Sequence, residues 1–173
     1  ILSSGMPPVR TMVEMGIPVA ISTDGTGSAD NQNIIAATKL TEQYFRGKDR
    51  KPLFDSMQSL ERVTRIPGDI LEMKVGRLQQ DYFADFILVD STSSNMTPTH
   101  LENCAEMIIW ASAGNEISYV VSSGVELVRN HQFTENIQFD PNETKRQITQ
   151  LATDFLEYRK HAKEIVATGA RAE

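Results

Sequence analysis

Val19-Ala20-Ile21-Ser22-Thr23-Asp24-Gly25-Thr26-Gly27-Ser28 runs from apolar through small residues into an acid and a glycine-rich turn. The β-branched start reads as a buried strand over Val19–Ser22, and Asp24 falls where that strand breaks into a loop. Upstream, Pro8 suits the first turn of a helix; Val9, Met12 and Val13 follow at helical spacing before Gly16, a natural stop. Downstream, Asn31 to Phe45 reads as a second helix with Ile34, Ile35, Ala37, Thr38 and Tyr44 near one face. Helix, short strand, glycine-rich turn and helix form the pattern of a parallel α/β unit, in which sites gather at the C-terminal ends of strands. Asp24 occupies such an end. The same Thr-Asp-Gly is equally an ordinary turn with Asp24 capping the next helix.

Further on, Pro52 to Met73 reads as helix interrupted at Ile66-Pro67-Gly68. Alternation and β-branching predict strands at Phe86–Val89, Glu106–Ala111, Ser118–Val121 and Val125–Val128, with Ser123-Gly124 as a hairpin turn. Trp110, with Ile108 and Ile109, belongs by this pattern to a sheet core. At the end, Asp140, Pro141 and Glu143 form a capping-box start, and Ile148, Leu151, Ala152, Phe155, Ala162, Ile165 and Val166 line one stripe of a long helix.

The order of three blocks resembles the metal-dependent amidohydrolase superfamily, in its aminohydrolase branch of guanine, cytosine and S-adenosylhomocysteine deaminases and triazine chlorohydrolases. The first block is Met6-Pro7-Pro8-Val9-Arg10 with Met15-Gly16-Ile17-Pro18 running into Asp24-Gly25, Ser28 and Asn31. The second is Val75-Gly76-Arg77-Leu78 with Ala84-Asp85-Phe86-Ile87-Leu88-Val89-Asp90, and the third is Val120-Val121-Ser122-Ser123-Gly124-Val125-Glu126-Leu127-Val128. The resemblance implies an α/β fold: the C-terminal fragment of a TIM-barrel enzyme carrying the last barrel strand and its flanking helices, part of a small β-sandwich, and a C-terminal helix. The corresponding division is 1–73 for the end of the (β/α)8 barrel, 74–135 for the sandwich portion and 136–173 for the helical tail.

On that resemblance Asp24 is the catalytic aspartate after the eighth strand, a metal ligand that shuttles the proton of a metal-activated water, and Gly25, Gly27 and Ser28 form the substrate loop. One divalent metal, zinc, is implied for the full-length parent and none for this fragment. The family's His-x-His pair and its later histidines are not in this sequence: His100, His131 and His161 all lie downstream of the barrel-like block and read as surface or packing residues. Ile66-Pro67-Gly68-Asp69 and Gln80-Asp81-Tyr82 also depart from the family pattern. The expected function is hydrolysis of a carbon–nitrogen bond outside peptides, such as deamination of a small heterocyclic substrate, by a parent enzyme of which this fragment alone is inactive. The alternative is a non-catalytic folding or oligomerisation module in which Asp24 is only a turn residue. A homo-oligomer is expected, since an unpaired barrel strand invites edge pairing.

Composition narrows the partners. The 173 residues carry 17 basic and 23 acidic side chains, a net charge of −6, which offers no electrostatic footprint for nucleic acid. No apolar run is long enough to span a membrane and no signal-peptide pattern opens the chain. Cys104 is the single cysteine, so an internal disulfide cannot form; the expected location is the cytoplasm.

Overall fold

The computed structural model describes residues 5–29, 31–138 and 140–168. The chain divides into two compact units, Ile1–Asn136 and Ile137–Glu173.

In the first unit, α1 (Val9–Glu14) follows Pro8 and ends before Gly16, which takes the left-handed conformation at φ 74°. The next segment departs from expectation. Val19–Ser22 pairs with no strand among the described residues; its backbone is held instead by Arg62, whose carbonyl accepts from Ile21 N (3.0 Å) and whose Nη1 donates to Val19 O (3.3 Å). A parallel strand is made by its neighbours, and a β-rich sequence without them stays irregular.

Helix α2 (Ile34–Asp49) begins three residues later than expected because Asn33 captures Ala36 N (3.0 Å) as its cap. Its buried side carries Thr38, Glu42 and Phe45, whereas Tyr44 is exposed. The core joins Phe45 with Val9 and Phe54, flanked by Val13, Val19 and Leu53. The guanidinium of Arg62 lies 4.4 Å from the centre of the Phe54 ring and closes this cluster on one side.

Two short helices replace the single interrupted one: α3 (Ser56–Glu61), with a capping box between Asp55 and Gln58, and α4 (Arg65–Ile70). The chain then packs tightly back on α4. A Cβ at Gly76, which sits at φ 75°, would lie 2.1 Å from the Thr64 carbonyl oxygen, so glycine is required there on two counts.

The sheet is an antiparallel meander of β1 (Phe86–Val89), β2 (Ile117–Ser122), β3 (Val125–Arg129) and the short β4 (Gln132–Phe133). Ser123 and Gly124 turn between β2 and β3 with positive φ at both positions (50° and 78°), the turn whose twist suits a two-residue hairpin. Between β1 and β2 the expected strand Glu106–Ala111 is helical: α5 (Cys104–Glu106) runs into a π-helical turn, Met107–Ala111. Ile109 there is fully buried, so the apolar run serves a core, but a helical one. Trp110 accordingly packs against the helices and not within the sheet: its Nε1 donates to Ser56 Oγ (3.2 Å), and the Arg46 guanidinium lies 4.9 Å from its ring centre. A short run of β-branched and aromatic residues cannot by periodicity be told from a buried helix.

The second unit contains α6 (Pro141–Thr168). Asp140 Oδ1 accepts from Asn142 N (2.8 Å), as a cap should. The Glu143 carboxylate pairs with Arg146 at 2.7 Å.

Candidate functional site

Asp24 stands at φ 61°, a left-handed conformation that aspartate tolerates better than most side chains. The turn folds back on its carboxylate. Gly25 N donates to Oδ1 and Ser28 Oγ donates to Oδ2, each at 2.7 Å. Ser28 N and Ala29 N both donate to the Gly25 carbonyl at 3.0 Å, closing one tight loop around the acid. The hydrogen bond from Ser28, and then that from Gly25, hold the Asp24 carboxyl below its ordinary value, so it is ionised at neutral pH and exposed to solvent.

Asp24, Gly25 and Ser28 therefore meet in one turn, with Gly27 at its tip. No atom outside the turn stands within 4 Å of a Cβ built on Gly25 or Gly27, so packing in this chain does not itself demand glycine at either position. A groove of about 400 Å³ opens beside the turn, lined by Ser22, Thr23, Ser28, Asn31, Asn33 and Leu40 among others. Its walls are rich in hydroxyl and amide groups.

Thr23, Asn31 and Asn33 were not among the expected site residues, yet they fix the roots of the turn. Thr23 Oγ1 donates to Gln32 Oε1 (2.8 Å), and Asn33 N donates to Asn31 Oδ1 (2.9 Å). The Asn-x-Asn spacing before the helix was the available signal, since such side chains bond local backbone.

A divalent cation fits this turn only in part. The ionised Asp24 carboxylate is a hard oxygen donor of the right kind, but zinc takes about four ligands, and among the described residues no group of three His, Cys, Asp or Glu side chains could hold a metal ion. His100 and His131 sit elsewhere in the first unit, beside the 101–103 turn and after β3, and His161 lies on α6. The described helices include none long and apolar enough to cross a membrane.

A second carboxylate, not foreseen, is more fully enclosed. Glu116 is 3% exposed and accepts from Ser112 Oγ (2.9 Å), Ala113 N (3.1 Å), Gly114 N (2.9 Å) and the Asn95 amide. Burial would raise its pKa, but the bonds from Asn95, from Ser112 and from backbone N–H groups outweigh it and bring the carboxyl down to about 2. Glu42, 1% exposed, has fewer donors: Phe54 N (3.0 Å) and Leu53 N (3.3 Å), with Arg46 Nε 3.6 Å away. Burial dominates there, and its pKa is raised.

Residues 1–139 match the model of the amidohydrolase family, and the chain belongs to that family. A 5-methylthioadenosine/S-adenosylhomocysteine deaminase of Clostridium tetani is 32% identical over 138 residues, covering 76% of this chain and 31% of that protein. A deaminase of the same name from Haloquadratum walsbyi is 28% identical over 134 residues, 76% of this chain and 29% of the other. Among solved structures, an atrazine chlorohydrolase from Arthrobacter aurescens complexed with zinc superposes with a TM-score of 0.72 at 23% identity, over 85% of this chain and 32% of that one. An adenosine deaminase from Xanthomonas campestris with bound zinc gives 0.70 at 18% identity, over 94% and 35%. These likenesses show the fold. The chain spans about a third of the length of the relatives it matches.

Proposed function

We propose that this chain is the C-terminal part of a metal-dependent hydrolase that deaminates an aminated heterocycle, with Asp24 as its contribution to the active centre. The observation that carries the reading is the exposed, ionised Asp24 held at the turn after Val19–Ser22, in a chain of the amidohydrolase family. The names of the relatives point to 6-aminopurine nucleosides as the substrate class.

When bound, a zinc ion supplies the acidity that brings water to a pKa of about 7. Asp24 would hold it as one ligand of a set completed by residues outside this chain. The remaining chemistry asks for a group that takes a proton and returns it to the leaving nitrogen. The Asp24 carboxylate can accept that proton, and Ser28 Oγ and Gly25 N fix the direction in which its lone pairs face. Its lowered pKa keeps it ionised at neutral pH, the form that accepts a proton. The polar groove beside the turn, with Ser22, Thr23 and Asn31 on its wall, is a surface for hydroxyl and ring-nitrogen contacts.

Ammonia release from 5′-methylthioadenosine and S-adenosylhomocysteine, measured with the complete, zinc-loaded gene product that contains this chain, tests the proposal. Release that stops on chelation is expected. A folded, zinc-loaded protein that deaminates no 6-aminopurine would overturn the substrate class, and one without hydrolase activity on any aminated or chlorinated heterocycle would leave Asp24 a turn residue in a non-catalytic module.

A further inference from the structure

The Asp24 turn is anchored at its far root by a segment 80 residues away in sequence. Asn33 uses both ends of its amide: Oδ1 caps α2 by accepting from Ala36 N (3.0 Å), while Nδ2 donates to Ala113 O (3.4 Å). Ala113 belongs to the loop that Glu116 organises, through Ala113 N, Gly114 N and Ser112 Oγ. Gly114, at φ 102°, lies under the Asn33 amide, where a Cβ would approach Nδ2 to 3.4 Å. A second tie joins the same elements, since Lys39 Nζ, farther along α2, donates to Trp110 O (2.8 Å). From Asn33 the path to the acid is short: Asn33 N donates to Asn31 Oδ1, and Thr23 Oγ1, next to Asp24, donates to the neighbouring Gln32 Oε1.

We infer that Asn33 and Glu116 are positioning residues for Asp24: the buried Glu116 loop, acting through the Asn33 side-chain amide, sets where the Asp24 turn sits relative to the start of α2. The inference rests on the proposed function for its catalytic consequence, and on geometry alone for its structural one. The turn has small side chains and exposed backbone, so its roots decide its aim. A displacement of about 1 Å in a reacting group can cost on the order of a hundredfold in rate.

Asn33→Ser separates the two ends of the amide, because serine still caps a helix but has no amide to give to Ala113. Two readouts are compared. In the complete gene product, hydrogen–deuterium exchange at the Ser28 and Ala29 amides should rise about tenfold in both N33S and Glu116→Gln, with α2 amides unchanged in N33S. In the complete zinc-loaded gene product, N33S should lower kcat about tenfold while leaving KM and the melting temperature in place, and the N33S/E116Q pair should lose no more than E116Q alone. Wild-type exchange in the turn for N33S overturns the inference, as does a kcat loss that merely tracks a fall in melting temperature. Asp24→Asn is run alongside: if it retains turnover, the catalytic reading fails and positioning for catalysis falls with it, whereas the exchange result still reports whether the anchor exists.

Discussion

Two loops of this molecule each bring backbone N–H and a serine hydroxyl to one carboxylate, one donor of each kind at Asp24 and a fuller set at Glu116, and they differ most in burial. Around Glu116 the chain closes completely, so the acid is spent on holding residues 112–114 together. Around Asp24 the same kind of bonds leave the carboxylate facing solvent beside a polar groove. The difference teaches that hydrogen bonds from the chain do not by themselves mark an acid as structural; access to a ligand decides. Glu42 adds a third case, buried with fewer donors and a raised pKa.

The largest stability effect should come from Glu116→Ala. It takes the carboxylate acceptor from Ala113 N, from Gly114 N, which keeps only Ser112 Oγ, and from one hydrogen of the Asn95 amide, whose other bond runs to Ala111 O, and urea denaturation should show a loss of about 3 kcal/mol. An effect under about 0.5 kcal/mol would mean water replaces the carboxylate and that the two loops differ less than their burial implies.

Acid should expose the same contrast. The Glu116 carboxyl is held at about 2 against an ordinary 4.5, so its stabilisation is complete above pH 4.5 and is lost as pH falls toward 2. The shift corresponds to on the order of 3 kcal/mol. Denaturation midpoints between pH 5 and 2 should fall in the parent chain and flatten in Glu116→Gln.

Glu42 should behave with the opposite sign. Its raised pKa means that the buried charge costs stability once pH rises above the ordinary value of 4.5, and the cost is relieved when the carboxyl takes up a proton. Glu42→Gln should therefore be neutral or stabilising by up to about 1 kcal/mol at pH 7, and the decline in stability with rising pH should vanish. A loss of more than about 2 kcal/mol at pH 7 would show the charge to be required by Phe54 N and Leu53 N.

The smallest effect belongs to the exposed turn. Ser28→Ala should change stability by no more than about 0.5 kcal/mol, as surface substitutions do. Its signature is local: carboxyl-carbon NMR should find the Asp24 pKa moved up toward its ordinary value, because the leading hydrogen bond is gone.

Much of this contrast was legible in sequence on one side only. Asp24, Gly25 and Ser28 were singled out through the family resemblance, since by pattern alone Thr-Asp-Gly is equally an ordinary turn, and the structure brings the three into one turn. The α6 start, the β2–β3 hairpin and the strand Phe86–Val89 were equally readable from Asp140-Pro141, Ser123-Gly124 and alternation. Glu116 was not, since its worth lies in donors from Asn95 and from its own loop, which no local pattern announces. Two element errors share a physical cause. Val19–Ser22 has strand residues but no strand partner among the described residues, and Met107–Ala111 has strand residues but sits in a helical core. In both, tertiary surroundings overrode a weak local preference.

The most direct test of the catalytic reading is turnover of Asp24→Asn in the complete gene product, with bound zinc quantified in the same samples. Asparagine keeps the size of the side chain and its acceptor for Gly25 N, but can no longer take up a proton. The account predicts that ammonia release from a 6-aminopurine nucleoside drops by about a thousandfold, within the range that general acid–base catalysis contributes, while the melting temperature stays within a few degrees. Turnover within a few-fold of the wild type at equal zinc content would contradict it and return Asp24 to the role of a turn residue.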